Sequence, residues 1–135
     1  MAPANGATNG AAPGPEAQFR ALLQEGRLCL QHCAGCARWV HYPRVVCPYC
    51  ACTRLEFREV PPEGTVYSTT VEHRHAATDG RFNLALVDLD AGVRIFASVV
   101  GCEPEAVHIG QRVRATIGIR QQVPVILFEP LGAGA

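Results

Sequence analysis

The chain is 135 residues long, enough for one small domain or two very small ones, and its twelve basic side chains balance twelve acidic ones. All twelve basic residues are arginine, which excludes Schiff-base chemistry on a lysine, and the missing basic excess argues against a general nucleic-acid binder. No run approaches the roughly 18 apolar residues of a membrane span, and the N-terminus lacks the basic and apolar regions of a secretory signal. The expectation is a soluble, cytoplasmic protein with no membrane association, whose thiols stay reduced. Seven cysteines, an odd number, also argue against a closed disulfide framework.

Residues 1–15 hold no large apolar side chain after Met1 and cannot bury enough surface to offset the entropy of ordering. They read as a disordered tail. Residues 16–28 read as a short amphipathic helix: Phe19, Leu22 and Leu23 stand at i, i+3 and i+4, and Gly26 is a stop. Its one apolar stripe packs on the rest of the chain or docks on a partner, and self-packing is the preferred reading.

Residues 29–58 carry the strongest signal. Cys33-x2-Cys36 and Cys47-x2-Cys50 are two C-x-x-C pairs separated by ten residues, the spacing of a zinc ribbon. A C-x-x-C turn points two sulfurs to one side, and two such turns brought together complete a tetrahedron. The intervening residues 37–46 are rich in β-formers and are expected to make the hairpin that joins the turns. Pro48 presets the second turn. Four cysteine ligands leave no open coordination position, so the site is expected to be structural, holding Zn²⁺, with iron as the alternative. Four thiolates around one Zn²⁺ leave a double negative charge, which would make the loaded chain slightly acidic.

Ala37 and Ala51 stand where many such knuckles carry glycine, so both turns are expected to be slightly strained. Cys52 could replace Cys50 in a shifted register, although the x2 spacing favours Cys50. Cys29 and Cys102 read as small buried apolar residues. His32 and His41 flank the ligands and read as non-ligands, with His41 on the surface of the hairpin.

From residue 59 to 130 the pattern changes to period two, with strands expected over 65–73, 82–89, 93–99, 112–117 and 125–128 and no helix between them. Asp88-Leu-Asp-Ala-Gly92 marks a turn, and 101–110 a longer connection. Five strands with short links fit a closed barrel of the OB type, because closure removes the unpaired edges an open meander would expose.

The run Leu28 to Cys36, followed by His41-Tyr-Pro-Arg44 and Cys47-Pro-x-Cys50, resembles the zinc-ribbon and OB-fold proteins grouped as domain of unknown function thirty-five. Gly64-Thr-Val-Tyr-Ser68 is similar to that family's first barrel strand, Leu84 to Leu89 with Gly92-Val93 to its second and third, and Ile109-Gly110 with Val113 to the entry of its fourth. The resemblance runs from Phe19 to Pro130 and departs from the family pattern at Ala37 and Ala51. It implies a mainly β fold: a short N-terminal helix, a rubredoxin-like zinc ribbon and a five-stranded OB-type barrel. It also implies a non-catalytic subunit that completes or stabilises a thiolase-like or aldolase enzyme of lipid, sterol or polyketide-type acyl-CoA metabolism and aids acyl-CoA binding or channelling.

The residues themselves leave two other readings. An OB barrel can bind single-stranded nucleic acid, with Arg74, Arg81, Arg94, Arg112 and Arg114 as a basic face and Tyr67, Phe82 and Phe96 for stacking; core packing is the preferred reading of these aromatics. Glu72-His73-Arg74-His75 offers titratable groups for an enzyme, but four polar residues at a strand end read as a solvated loop. No paired carboxylates, Ser/His/Asp set or glycine-rich phosphate motif points to independent catalysis. If acyl-CoA passes nearby, its phosphates need cations, and Arg74 and Arg81 are the candidate contacts because the arginine fork matches phosphate oxygens.

Overall fold

The computed structural model describes residues 13–73 and 80–132. Helix α1 spans Pro15–Gln24 and starts on Pro15, whose fixed φ suits a first helical position. Gly26, at φ +79°, ends it: the Gly26 amide donates to the Leu23 carbonyl at 2.9 Å and the Arg27 amide to the Leu22 carbonyl at 2.9 Å, a Schellman closure. Phe19 and Leu23 are buried in the main core, so the stripe packs on its own chain as the periodicity suggested.

The ribbon sheet is built from β1 (Cys29–Cys33), β2 (Trp39–Val40) and β3 (Leu55–Glu59), in the order β2-β1-β3, all antiparallel. The hairpin expected within 37–46 does not form as such. Only Trp39 and Val40 pair, and they pair backward with Gln31 and His32. The second knuckle leads into β3, which pairs with β1 along its whole length.

Five strands close the barrel: β4 (Glu63–His73), β5 (Arg81–Leu89), β6 (Arg94–Val99), β7 (Arg112–Arg120) and β8 (Val123–Pro130), in the order β4-β5-β6-β8-β7. The expected strands are present, each extended by one to four residues except β6, which begins one residue later. The connection before β7 contains one short 3-10 helix, Pro104–Ala106. All pairings are antiparallel except β6 with β8, where Ser98 faces Leu127 and Val99 faces Phe128. Closure depends on β4 reaching two partners. A bulge at Tyr67 shifts its register against β5, and the strand's first residues pair with β7. Bulges bend and twist a strand in this way at barrel corners. Gly64 is obligatory at that corner, because a β-carbon there would lie 2.6 Å from the Asp88 carbonyl oxygen.

Inward residues of the barrel alternate as the period predicted: Asn83, Ala85, Val87 and Leu89 of β5 are buried, with Val66, Ile95, Val113 and Phe128 from the neighbouring strands. Buried Asn83 is satisfied. Its amide donates to Thr69 Oγ1 at 2.7 Å and the Thr70 carbonyl at 3.2 Å, and its oxygen accepts from the Val99 amide at 3.1 Å, which links β4, β5 and β6.

The aromatics read as core do not lie there. Tyr67 is 51% exposed and Phe96 64% exposed, both on the outer surface, and Phe82 is half-buried beneath the Arg120 guanidinium. Tyr67 is displaced outward by the bulge, and Phe96 pairs with Leu86 on the face opposite the buried Ala85 and Ile95. A period-two strand with apolar residues on both faces gives no signal as to which set points inward.

Candidate metal centre

Four sulfurs converge at the end of the ribbon. Cys33 closes β1, Cys36 follows in the first knuckle, and Cys47 and Cys50 form the second. All four lie within 4.8 Å of one another, with Cys33 Sγ 3.6 Å from Cys50 Sγ and Cys36 Sγ 3.7 Å from Cys47 Sγ. The two knuckles repeat one geometry. In the first, the Ala37 amide donates to the Cys33 carbonyl and the Cys33 amide to the Arg38 carbonyl; in the second, Ala51 donates to Cys47 and Cys47 to Cys52, each at 2.9 Å. The Gly35 amide donates to Cys33 Sγ at 3.3 Å and the Tyr49 amide to Cys47 Sγ at 3.4 Å. Ala37 and Ala51 sit at φ +63° and +66°, the left-handed conformation the missing glycines would have adopted without strain.

The electrostatics fit a cation. Burial opposes ionisation of Cys47, but the amides of Tyr49 and Cys50 hold its thiol down at about 7. At Cys50 the Cys52 amide pulls down, while Cys33, burial and the other two thiols carry it up to about 12. Burial also raises Cys36. Sulfurs at these distances resist ionising together, and a divalent ion supplies the charge that lets all four be thiolates. Four cysteine sulfurs arranged as two C-x-x-C turns are the donor set of a structural Zn²⁺ or of a rubredoxin-type iron.

Cys52 stands beside this set but not within it, and the backbone and guanidinium of Arg54 lower its thiol. Cys29 is buried, as expected, and Cys102 is half-buried against the main core. His41 departs from the expectation of a surface position. Its ring packs edge-on against Phe19 at 5.7 Å and Tyr42 at 5.3 Å, its Nδ1 is buried without a partner among the described residues, and burial lowers its pKa. His32 packs on Trp39 at 4.9 Å. Neither histidine belongs to the sulfur cluster.

Gln31 carries a positioning role that sequence reasoning missed. Its buried side chain accepts from the Arg44 amide at 2.7 Å and donates to the Arg44 carbonyl at 2.8 Å, fastening the irregular segment between the knuckles onto β1. A single glutamine between Leu30 and His32 offers no pattern that would single it out.

Of the two arginines named for acyl-CoA, Arg74 lies outside the described residues. Arg81 opens β5 and its guanidinium is engaged by Glu105 and, at 3.3 Å, by Glu103. The remaining members of the proposed basic face are paired as well: Arg94 with Asp88 at 2.6 Å, Arg112 with Asp90 at 2.8 Å, and Arg114 with Glu63 at 3.7 Å. Arg94 also covers the Tyr67 ring at 3.5 Å. No helix among the described residues is long and apolar enough to cross a membrane.

A ribbon bearing a four-cysteine centre, joined to a five-stranded OB barrel, defines the class of protein. Residues 20–56 match the rubredoxin-like zinc ribbon domain of ChsH2, and residues 57–118 match the ChsH2 C-terminal OB-fold domain. The chain is 34% identical over 97 residues to a DUF35 domain-containing scaffold protein of Methanocaldococcus jannaschii, covering 66% of this chain and 67% of that one. It belongs to the DUF35/ChsH2 family. It is also 36% identical over 97 residues to a probable enoyl-CoA hydratase alpha subunit of Thermomonospora curvata, covering 70% of this chain but 30% of that relative, so it spans about a third of that protein's length. Among solved structures it is similar to a chain of the Ltp2-ChsH2(DUF35) aldolase, with a TM-score of 0.77 at 29% identity over 89% of this chain and 97% of that one. A DUF35 protein from Sulfolobus solfataricus, at 20% identity and TM-score 0.60 over 84% and 83% of the two chains, shares the fold.

Proposed function

We propose that this chain is a non-catalytic accessory subunit that binds and stabilises a thiolase- or aldolase-type enzyme acting on acyl-CoA, with Zn²⁺ holding its ribbon as a structural ion. The observation that carries the reading is the likeness, over nearly the whole of both chains, to a chain of the Ltp2-ChsH2(DUF35) aldolase. The surface supports it. Phe82, Leu84 and Leu86 of β5 are half-exposed on the strand's outer side, and exposed Phe96 pairs beside Leu86. A barrel strand apolar on both faces fits one that is covered on both faces in its working assembly. An apolar groove of about 260 Å³ follows beside it, lined by Phe19, Leu23, Tyr42, Phe96, Val123 and Ile126.

The same surface weakens the nucleic-acid reading. The described arginines proposed as a basic face are each paired with a carboxylate, which weakens the track those residues would offer a phosphate backbone. Acyl-CoA contact at Arg81 requires a phosphate to displace Glu103 or Glu105 from its guanidinium, and Arg74 is its candidate companion.

Affinity purification of the tagged chain from its native cells, with identification of what co-purifies, tests the reading. A thiolase-, aldolase- or hydratase-type subunit is expected in fixed stoichiometry, losing activity toward acyl-CoA when the chain is removed. Turnover of acyl-CoA esters by the isolated chain would overturn the non-catalytic role. Micromolar, salt-sensitive affinity for single-stranded DNA would replace the reading with the nucleic-acid one.

A further inference from the structure

We propose that Cys52 is a reserve ligand of the metal centre, a fifth thiolate able to take the coordination position of Cys50 when that sulfur is lost. The inference rests on the metal reading above and adds which sulfurs can complete the tetrahedron. Cys50 is the exposed member of the four-sulfur set and the one most open to alkylation or oxidation.

The first knuckle is shaped to hold two thiols on one side. A β-carbon built on Gly35 would lie 3.1 Å from Cys52 Cβ, 3.2 Å from Cys52 Sγ and 3.5 Å from Cys50 Sγ. Both sulfurs therefore lie over the same bare stretch of backbone, where a side chain at position 35 would crowd Cys52 and meet Cys50 at ordinary contact distance.

Cys52 also repeats the local geometry of the cysteines that open each knuckle. The Arg54 amide donates to Cys52 Sγ at 3.3 Å, as the Gly35 amide does to Cys33 Sγ and the Tyr49 amide to Cys47 Sγ. In each case the amide two residues on addresses the sulfur as an acceptor, the role it has as a thiolate ligand. The segment is tied to both knuckles: the Cys47 amide donates to the Cys52 carbonyl at 2.9 Å and the Ala34 amide to the Arg54 carbonyl at 3.0 Å. Cys52 and half-buried Cys36 also pack on the same small cluster of Cys33, Val40 and Cys47. The exchange requires that rotation about the Cys52 Cα–Cβ bond, with a small yield of the second knuckle, bring its sulfur to the vacated corner. The exchange conserves charge. With a divalent ion bound, the Cys52 thiol would lose its proton to solvent on taking the position, and the Cys50 sulfur would leave carrying a proton.

Cobalt(II) titration of the full chain and of Cys50→Ser, Cys52→Ser and the double variant tests this. Cys50→Ser is expected to keep the absorption of a four-thiolate cobalt site, with affinity within about tenfold of the parent, while the double variant drops to three thiolates and binds more than about a hundredfold more weakly. Cys52→Ser should match the parent. A Cys50→Ser chain with the three-thiolate spectrum of the double variant, or one that fails to fold where Cys52→Ser folds, overturns the proposal. A parent chain that takes up no metal ion at all removes the metal reading itself and this inference with it, a result distinct from failure of the variant alone.

Discussion

The ribbon and the barrel sit in one chain but are held together by different physics. Among the described residues the barrel and α1, joined by Leu30 of the ribbon, share a core of fifteen buried side chains, including Val66, Val87, Ile95, Val113 and the fully buried Phe128. The ribbon's own buried cluster consists of Cys33, Val40 and Cys47, with Cys36, Cys52 and Leu55 half-buried around it. Around the sulfurs, one buried valine cannot offset the entropy of ordering the two knuckles and the segment between them at roughly 1–2 kcal/mol per residue, and metal–thiolate bonds would supply what apolar burial there does not. The lesson is that cysteine geometry and β-strand alternation are alternative ways of specifying structure, and that this chain uses each where the other is missing.

The largest expected effect breaks the comparison at the ribbon. Cys47→Ser, or stripping the metal with a chelator, should abolish hydrogen-exchange protection from Cys29 to Glu59, because structural zinc sites contribute about 10–16 kcal/mol in small domains. The barrel, whose closure uses no ribbon strand, should keep its protection. Loss of both together would mean that the two regions fold as one unit. Phe128→Ala attacks the other side. With a 0% exposed ring at the centre of the barrel, it should cost about 3–5 kcal/mol in a denaturant titration and leave metal stoichiometry unchanged.

Two smaller effects sharpen the contrast. Ala37→Gly and Ala51→Gly release a left-handed backbone penalty of about 1–2 kcal/mol each. Metal affinity should rise in a competition assay, and the denaturation midpoint of the barrel should stay put. The smallest effect is at the junction of the two regions. His41 is held below its ordinary value of 6.5 by burial. The unfolded chain therefore binds that proton more readily, and the contribution of neutral His41 is present above pH 6.5 and fades as pH falls below it. Stability of His41→Phe measured from pH 7.5 to 5 should fall less steeply than that of the parent, and parallel profiles would remove the assignment.

The legible parts of the fold and site were those with a local code. The C-x-x-C spacing identified the sulfurs that converge, the missing glycines foretold the strained positions 37 and 51, and period-two alternation located five strands. The illegible parts depended on partners distant in sequence. The residues between the knuckles have β-forming composition, yet their hydrogen bonds go to β1 and Gln31 rather than to one another. Tyr67 and Phe96 read as core because apolar alternation does not say which face turns inward, and a bulge one residue long decided it for Tyr67.

Taken alone, then, the order of residues determined a metal-binding pair of turns followed by five strands of barrel-forming length, since spacing and periodicity are properties of short stretches of chain. Only the folded molecule decided that β6 runs parallel to β8, that half-buried His41 packs against Phe19 of α1, and that the arginines of the barrel wall are matched to carboxylates from other strands and turns. Those outcomes follow from closure of the barrel and the packing of α1 and the ribbon against it, which bring together groups that no local pattern relates.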